Sequence, residues 1–324
     1  RPDPQPQRKI QPAQLSQGRA QLGADPRRTD PVIARPMIPG FDTGAATLDG
    51  QRIAYDIGGS GPPVLLLHGY PQCRAMWHAV APVLARHFTV VAADLRGYGD
   101  SGCPDGVAAM SFRAMAADQV ALMRHLGVER FHVVGHDRGG RTAHRMALDT
   151  PEALLSLTVM DIVPTHLLLD RLTWPVAKAY FHWFFLAQPA PGPERMIGAD
   201  PDAFYESCLT GWGAAQLSDF DAGALAAYRA AWARPEVSHT MCNDYRAALE
   251  VDMALDTADL GRRVACPALV LYGADGAMAQ AYDVPATWAD RLANMRAEAV
   301  PGGHFFPDTH PVETAAALMR FLCD

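Results

Sequence analysis

The stretch GHDRGG, at residues 135–140, places an aspartate between glycines where an apolar run gives way to a helix-like pattern. The spacing from Gly135 to Gly139 is that of a nucleophile elbow, a sharp turn whose small residues let the central side chain project. A serine there would need a base to remove its proton, whereas a carboxyl group with an ordinary pKa of about 4 is already ionised at neutral pH. We therefore interpret Asp137 as a nucleophile for a saturated carbon, as in a carbon–halogen bond or an epoxide, which forms an ester that water can cleave.

Cleavage of such an ester requires a general base for water, and an acid must orient that base. His304 follows the last predicted strand in the turn PGGHFF, and this is where the base is expected in chain order. Two residues are candidates for the acid: Asp161, at the end of the strand after the elbow helix, and Asp275, in the turn YGADG. The residue pattern alone leaves both open.

Two arginines, Arg138 and Arg141, stand beside the nucleophile at the start of the predicted helix. Their spacing of three puts them on one helix face, near the helix amino end that favours anions. Two guanidinium groups can hold a carboxylate by bidentate hydrogen bonds, which predicts a 2-haloacid whose α-carbon faces Asp137. A neutral alkyl halide or epoxide would leave both charges unpaired in a dry pocket. The alternative is that they are ordinary surface arginines that pair with Asp or Glu.

Apolar runs of strand length alternate with helical stretches through much of the chain. A hairpin is predicted in ATLDGQRIAYDIGGSGP, and six further strands in PPVLLLHG, FTVVAAD, FHVVGHD, LLSLTVMDIVP, CPALVLYGADG and RAEAVPGGHFF. Helices are predicted at residues 75–86 and 111–127, from Gly139 onward, and at residues 311–322. This alternation predicts an α/β fold with a mostly parallel sheet covered by helices on both faces. Ligands collect at the carboxyl ends of such strands, where the candidate residues fall.

Two segments interrupt the α/β pattern. Residues 1–36 are rich in Pro, Gln and Arg and lack apolar periodicity, so we expect an extended or disordered amino-terminal arm. The predicted core has two parts, residues 37–164 and 257–324. The sequence between them is rich in aromatic residues and has a helical pattern, as in WPVAKAYFHWFFLAQ. We interpret residues 165–256 as an inserted helical cap.

Composition excludes several classes of partner. The formal net charge of −7, without a block of Lys or Arg, argues against nucleic acid, and no apolar run approaches a membrane span. Six cysteines are scattered without a C-x-x-C or a His/Cys cluster. We expect a cytoplasmic protein with reduced thiols and no metal or organic cofactor. Export of a processed form stays open, because the sequence begins with arginine.

Six motifs carry a family resemblance: HGYPQ (68–72), DLRGYGDSG (94–102), GHDRGGRTAHRMALDTP (135–151), DIVPT (161–165), FHWFF (181–185) and PGGHFF (301–306). As a set they resemble the fluoroacetate dehalogenases of the α/β-hydrolase superfamily, from about residue 40 to the end. The patterns HG-x-P and D-x-RG-x-G-x-S alone indicate only a capped hydrolase that acts on epoxides or haloalkanes. In the dehalogenases the acid follows the earlier strand, which favours Asp161 over Asp275.

The resemblance also implies a halide pocket of His182, Trp183 and Tyr245, whose N–H and O–H groups would donate to a departing fluoride. Without it, aromatic residues in a cap helix indicate core packing. The backbone N–H groups of Tyr70 and Arg138 would stabilise the oxyanion of ester hydrolysis, although Tyr70 replaces a phenylalanine associated with that position. The resemblance further implies a homodimer.

The sequence thus predicts a capped α/β-hydrolase that converts haloacetates, fluoroacetate in particular, to glycolate and halide through an ester at Asp137. One alternative is a haloalkane dehalogenase or epoxide hydrolase with the same three catalytic residues. An alternative of another class is a non-catalytic protein that binds a small carboxylate, against which intact Asp137 and His304 argue.

Overall fold

A computed structural model describes residues 36–211 and 215–324. The predicted arm therefore lies outside the described residues, apart from Pro36. Within the described ranges, eight strands form one sheet in the order β1-β2-β4-β3-β5-β6-β7-β8. The strands are β1 (Asp42–Leu48), β2 (Gln51–Gly59), β3 (Pro63–Leu67), β4 (Thr89–Ala93), β5 (Phe131–His136), β6 (Leu154–Met160), β7 (Val264–Gly273) and β8 (Leu292–Val300).

The sheet is antiparallel at one edge and parallel elsewhere. β1 and β2 form the predicted hairpin, in which Asp49 and Gly50 at the turn both have positive φ, as two-residue hairpin turns require. β2 pairs antiparallel with β4, and every pair from β4 through β3 to β8 is parallel. The central strands are almost wholly buried, because a parallel sheet covered on both faces admits apolar side chains on each face. The predicted mostly parallel sheet is confirmed.

The helices fall into three groups along the chain. Those of the first part are α1 (Ala81–Leu84), α2 (Phe112–His125) and α3 (Arg138–Asp149). Between β6 and β7 lie α4 (Thr165–Asp170), α5 (Trp174–Ala179), α6 (Phe181–Leu186), α7 (Gly192–Ile197), α8 (Pro201–Gly211), α9 (Ala222–Trp232), α10 (Pro235–Ala247) and α11 (Met253–Ala258). The last group is α12 (Ala277–Ala281), α13 (Val284–Trp288), α14 (Phe306–Thr309) and α15 (Pro311–Leu322).

The segment between β6 and β7 contains helices and, among its described residues, no strand, and we call α4 to α11 the inserted helices. Their position matches the segment predicted as a cap, residues 165–256. Whether they form a separate cap domain stays a proposal. None of the helices in the described ranges is long and apolar enough to cross a membrane.

The predicted helix at residues 75–86 was wrong as a single element. The chain forms a 3₁₀ turn at Arg74–Trp77 and then the short helix α1. Pro82 explains the break, because proline has no backbone N–H to continue a preceding helix but is favourable in the first turn of a new one. The helix after the elbow begins at Arg138, one residue before the predicted start.

Candidate active site

The elbow between β5 and α3 holds Asp137 in a backbone conformation that is uncommon for a residue with a side chain, with φ of 46° and ψ of −114°. The turn is closed so tightly that glycine is required on both sides of it. A Cβ on Gly135 would lie 2.2 Å from the carbonyl oxygen of Gly139, and a Cβ on Gly139 would lie 2.5 Å from that of Leu67. The G-x-D-x-G spacing therefore reflects a steric requirement, which directs the Asp137 side chain out of the strand.

The Asp137 carboxylate is buried, with 3% of its residue surface exposed. Its Oδ2 atom accepts a hydrogen bond of 3.0 Å from the backbone N–H of Tyr70, in the loop after β3. Burial raises the pKa of Asp137, but the charges of His304 and Arg138 lower it by more, so the pKa lies below its ordinary value. This carboxylate is thus ionised at neutral pH and one of its oxygens already has a backbone donor.

The structure brings His304 together with Asp161 rather than with Asp275. His304 Nδ1 lies 2.6 Å from Asp161 Oδ2, and the other oxygen of Asp161 accepts the backbone N–H of Gly273 at 2.9 Å. Asp275 instead accepts the backbone N–H of Gly302, at 3.1 Å, in the turn that precedes His304. Asp161 can therefore orient the imidazole, and Asp275 stabilises the turn that carries it.

The imidazole of His304 is buried near the carboxylates of Asp161 and Asp137. Burial lowers its pKa, but the hydrogen bond and the charge of Asp161 raise it by more, so the pKa lies above the ordinary value. His136, at the end of β5, donates from Nε2 to the backbone carbonyl of His304 at 2.8 Å. The pKa of His136 is lowered to about 4, by burial and then by the nearby His304. A neutral His136 supports the loop that carries the candidate base.

Arg141 reaches the site with its charge uncompensated by a direct carboxylate partner. It is buried, and its Nη1 donates to the carbonyl of Val163 at 3.0 Å and to Thr165 Oγ1 at 2.9 Å. Both acceptors are neutral, and among the described residues Arg141 forms no ion pair and its Nε has no hydrogen-bond partner. Arg141 can therefore attract an anion into the site.

Arg138 differs from Arg141, because a carboxylate of the protein already pairs with it. Arg138 is fully buried and forms a salt bridge with the fully buried Asp244 of α10. Its Nε donates to Asp244 Oδ2 at 2.9 Å and its Nη2 to the Asp244 Oδ1 and backbone oxygens. Within residues 36–211 and 215–324, Nη1 has no hydrogen-bond partner. A neutral substrate would thus leave Arg141 without a direct ion-pair partner in the described part of the chain, whereas Arg138 keeps Asp244.

The three residues predicted as a halide pocket surround the arginines. Trp183 and His182 come from α6, Tyr245 comes from α10, and all three are buried. The guanidinium carbon of Arg138 lies 4.3 Å from the ring centroid of Tyr245, and those of Arg138 and Arg141 each lie 4.9 Å from that of Trp183. Aromatic faces favour cations, so this packing fixes both guanidinium groups at one site.

These aromatic residues also present polar hydrogens to the site. Trp183 Nε1 and Tyr245 Oη are buried, and neither has a hydrogen-bond partner in the part of the chain that the structure describes. The ring of His182 stacks on that of Tyr70, with centroids 5.8 Å apart. Burial holds the pKa of His182 well below its ordinary value, so the ring is neutral. Buried donors of this kind usually have partners, which makes them candidates to bind a departing anion.

Sequence reasoning missed Asp244, which lies directly before the predicted Tyr245. Its carboxylate also accepts a hydrogen bond of 2.6 Å from Tyr98 Oη, so a residue of the inserted helices joins Arg138 to the loop after β4. The signal available was a charged residue inside an otherwise apolar helix face. Trp212, in the sequence GWG of the predicted cap, is a weaker candidate for the cavity wall and lies outside the described residues. No group of His, Cys, Asp or Glu in the described ranges is arranged to hold a metal ion.

Comparisons with known proteins add to this geometry. A family model for the alpha/beta hydrolase fold matches residues 62–311. A curated fluoroacetate dehalogenase from a Burkholderia species is 54% identical over 291 residues, which cover 89% of this chain and 96% of the relative. A soluble epoxide hydrolase from Corynebacterium sp. (strain C12) is 30% identical over 85% of this chain and 95% of its own length. The solved structure of the epoxide hydrolase CorEH without ligand is 29% identical, with a TM-score of 0.78, over 87% of this chain and 99% of that chain.

Proposed function

The chain belongs to the α/β-hydrolase family, and on that basis we propose that it is a haloacetate dehalogenase, which converts fluoroacetate and water to glycolate, fluoride and a proton. The observation that carries this proposal is the arrangement of Asp137, Arg138 and Arg141: a buried nucleophilic carboxylate stands beside two guanidinium groups packed on one indole ring. A nucleophile suited to a saturated carbon is thereby combined with a binding site for a small carboxylate.

In the first step, an oxygen of Asp137 attacks the α-carbon of the haloacetate, and the carbon–halogen bond breaks as the carbon–oxygen bond forms. The halide leaves with the bonding electron pair, and an ester joins Asp137 to the carboxymethyl group. The depressed pKa of Asp137 keeps the attacking carboxylate ionised. Since fluoride is a poor leaving group with a strong demand for hydrogen bonds, His182, Trp183 and Tyr245 donate to it as its charge develops.

In the second step, His304 accepts a proton from water, and the resulting hydroxide attacks the carbonyl carbon of the Asp137 ester. Asp161 holds the imidazole in the orientation that this transfer needs. The backbone N–H of Tyr70, 3.0 Å from Asp137 Oδ2 in the free protein, stabilises the oxyanion that forms on the ester carbonyl, together with the N–H of Arg138. As this intermediate collapses, His304 returns its proton to the leaving oxygen and glycolate is released. The Asp137 carboxyl group that remains loses its proton to water and is ionised again.

The proposal is tested by halide release from fluoroacetate, chloroacetate and a neutral bromoalkane at equal concentration, followed with ion-selective electrodes. We expect release from both haloacetates, with the neutral substrate at least about 100-fold slower in kcat/KM, because it forms no bond to the buried guanidinium groups. Preference for the bromoalkane would contradict the proposal.

An epoxide hydrolase is the second candidate function, favoured by the presence of epoxide hydrolases among the similar proteins. It would use the same nucleophile and base, but its neutral substrate would leave the charge of Arg141 unused. Diol formation from styrene oxide at a higher kcat/KM than halide release from chloroacetate would support it. The third candidate, a non-catalytic protein that binds a small carboxylate, would bind acetate but would not release halide from any of these substrates.

Three further features belong to the same proposal: the inserted helices act as a cap over the site, the protein is a homodimer, and it acts in the cytoplasm. The homodimer is tested by light scattering coupled to size-exclusion chromatography, where a monomer mass would contradict it. Fractionation of the source cells tests the compartment. Neither the homodimer nor the compartment is needed for the chemistry at Asp137.

A further inference from the structure

The two arginines of the site are held by different kinds of partner. Asp244 occupies the Nε and Nη2 atoms of Arg138, whereas Arg141 donates to the neutral oxygens of Val163 and Thr165. The Arg138–Asp244 pair is fully buried, so its two charges compensate each other without help from solvent. The asymmetry therefore concerns charge as well as geometry.

Asp244 is also fixed in position from the side of the core. Tyr98 Oη donates to Asp244 Oδ2 at 2.6 Å, and the guanidinium carbon of Arg138 lies between the rings of Phe112, at 4.5 Å, and Tyr245, at 4.3 Å. The fork of Arg138 cannot turn without breaking these contacts. Only Nη1 is left without a hydrogen-bond partner in the described part of the chain.

We propose that Asp244 is a positioning residue whose countercharge makes the Arg138–Asp244 pair neutral as a unit and leaves Arg138 as a directional hydrogen-bond donor, so that Arg141 supplies the positive charge that draws the substrate carboxylate in. The inference rests on the proposed function, since it takes the substrate to be a carboxylate. Asp244 acts through Arg138 and does not itself touch the reacting atoms.

This arrangement has a consequence for product release. Both products of haloacetate hydrolysis, glycolate and halide, are anions that must leave a buried site. With two uncompensated guanidinium groups the site would hold them tightly, because charges interact strongly where water is excluded. Asp244 therefore lowers the affinity of the site for anions, so that the products leave faster. One oriented N–H of Arg138 still aligns the substrate.

The test is the affinity for acetate, an unreactive carboxylate, measured by titration calorimetry on the intact chain. Asp244→Asn keeps the shape of the side chain and one acceptor oxygen but removes the countercharge. We expect acetate to bind at least about tenfold more tightly to this variant, and KM and kcat for chloroacetate to fall together. A merely structural role would give weaker or unchanged binding, and either result would overturn the inference.

A second comparison keeps the inference falsifiable if Asp244→Asn alone does not fold. The double variant Arg138→Gln/Asp244→Asn removes the pair as a neutral unit, so acetate affinity should stay within about tenfold of wild type, which is the loss of one hydrogen bond. Arg141→Gln removes the net charge and should weaken acetate at least about 100-fold. Equal losses in the two variants would overturn the inference.

Asp118→Asn is the matched control, because Asp118 forms a comparable two-bond pair with Arg96, with both bonds at 2.5 Å, among residues without an assigned role in the site. We expect its acetate affinity to equal that of wild type. The readouts separate the two proposals. Wild type that releases no halide but gives the predicted acetate affinities would contradict the proposed function alone, whereas halide release without those affinities would contradict only the role of Asp244.

Discussion

His304 Nδ1 lies 2.6 Å from Asp161 Oδ2, although the two residues are 143 positions apart in the chain. The contact joins the end of β6 to the turn after β8. Asp275, the other candidate for the acid, accepts a hydrogen bond from the backbone N–H of Gly302. The proposed catalytic acid is accordingly Asp161.

Asp161→Asn should lower kcat for chloroacetate by about 10²- to 10⁴-fold, because the amide cannot stabilise the imidazolium or hold the required tautomer of His304. Asn tolerates the positive φ of 52° at this position, so the fold should be retained. Asp275→Asn, as the control, should keep kcat within about threefold, since Asp275 makes no bond to the imidazole. The reverse ranking, measured by halide release, would transfer the role to Asp275.

The two steps should respond differently to pH, because the pKa of Asp137 is lowered and that of His304 is raised. His304 must be neutral to activate water, so turnover should fall as the pH drops through a pKa above the ordinary value of about 6.5. Asp137 stays ionised there, so a rapid burst of one halide per chain should persist at about pH 5. Rapid-quench measurement of halide tests this. Loss of the burst together with turnover would contradict the separation of roles.

The same pH profile should move in Asp161→Asn. The hydrogen bond and the charge of Asp161 are the two largest effects that raise the pKa of His304, so their removal should shift the acidic limb of the residual activity to lower pH. A limb that remains at its wild-type position would show that another group controls it. The measurement is kcat against pH for both proteins.

Trp183→Phe and Tyr245→Phe should damage defluorination more than debromination. Each change removes one buried donor that has no partner in the described residues, while phenylalanine retains a ring to pack on Arg138. Fluoride depends most on hydrogen bonds, so kcat for fluoroacetate should fall about 10- to 100-fold further than kcat for bromoacetate. Trp174→Phe, at an indole that is 75% exposed, is the control and should leave both rates unchanged. Equal losses for both halogens would remove the halide role.

Much of the core was predictable because its signals are local. The strand-to-helix turn at Asp137 follows from glycines whose Cβ atoms would clash with backbone, and the parallel sheet follows from apolar runs. The α/β-hydrolase fold and the family resemblance are both confirmed by the similar proteins. One local prediction was wrong: the apolar pattern at residues 75–86 indicated a single helix, whereas Pro82 lies in the first turn of a new one.

The pairing of side chains was not predictable in the same way. Asp161 and Asp275 both end a strand near the base, and only the path of the chain decides which carboxylate meets His304. The bond between Arg138 and Asp244 spans 106 positions and joins the elbow to the inserted helices. Helical periodicity places a residue on a face but does not identify its partner. The ion pair that compensates Arg138 was therefore identified only from the structure.

The account depends most on Asp137 as the nucleophile, and His304→Asn tests this directly. Without the base, the ester should form but not be hydrolysed, so incubation with fluoroacetate should add one carboxymethyl group to the chain, located by peptide mass spectrometry at Asp137. Asp137→Asn/His304→Asn should gain no mass and serves as the control. An unmodified Asp137 in His304→Asn, with a wild-type protein that releases fluoride under the same conditions, would contradict the account.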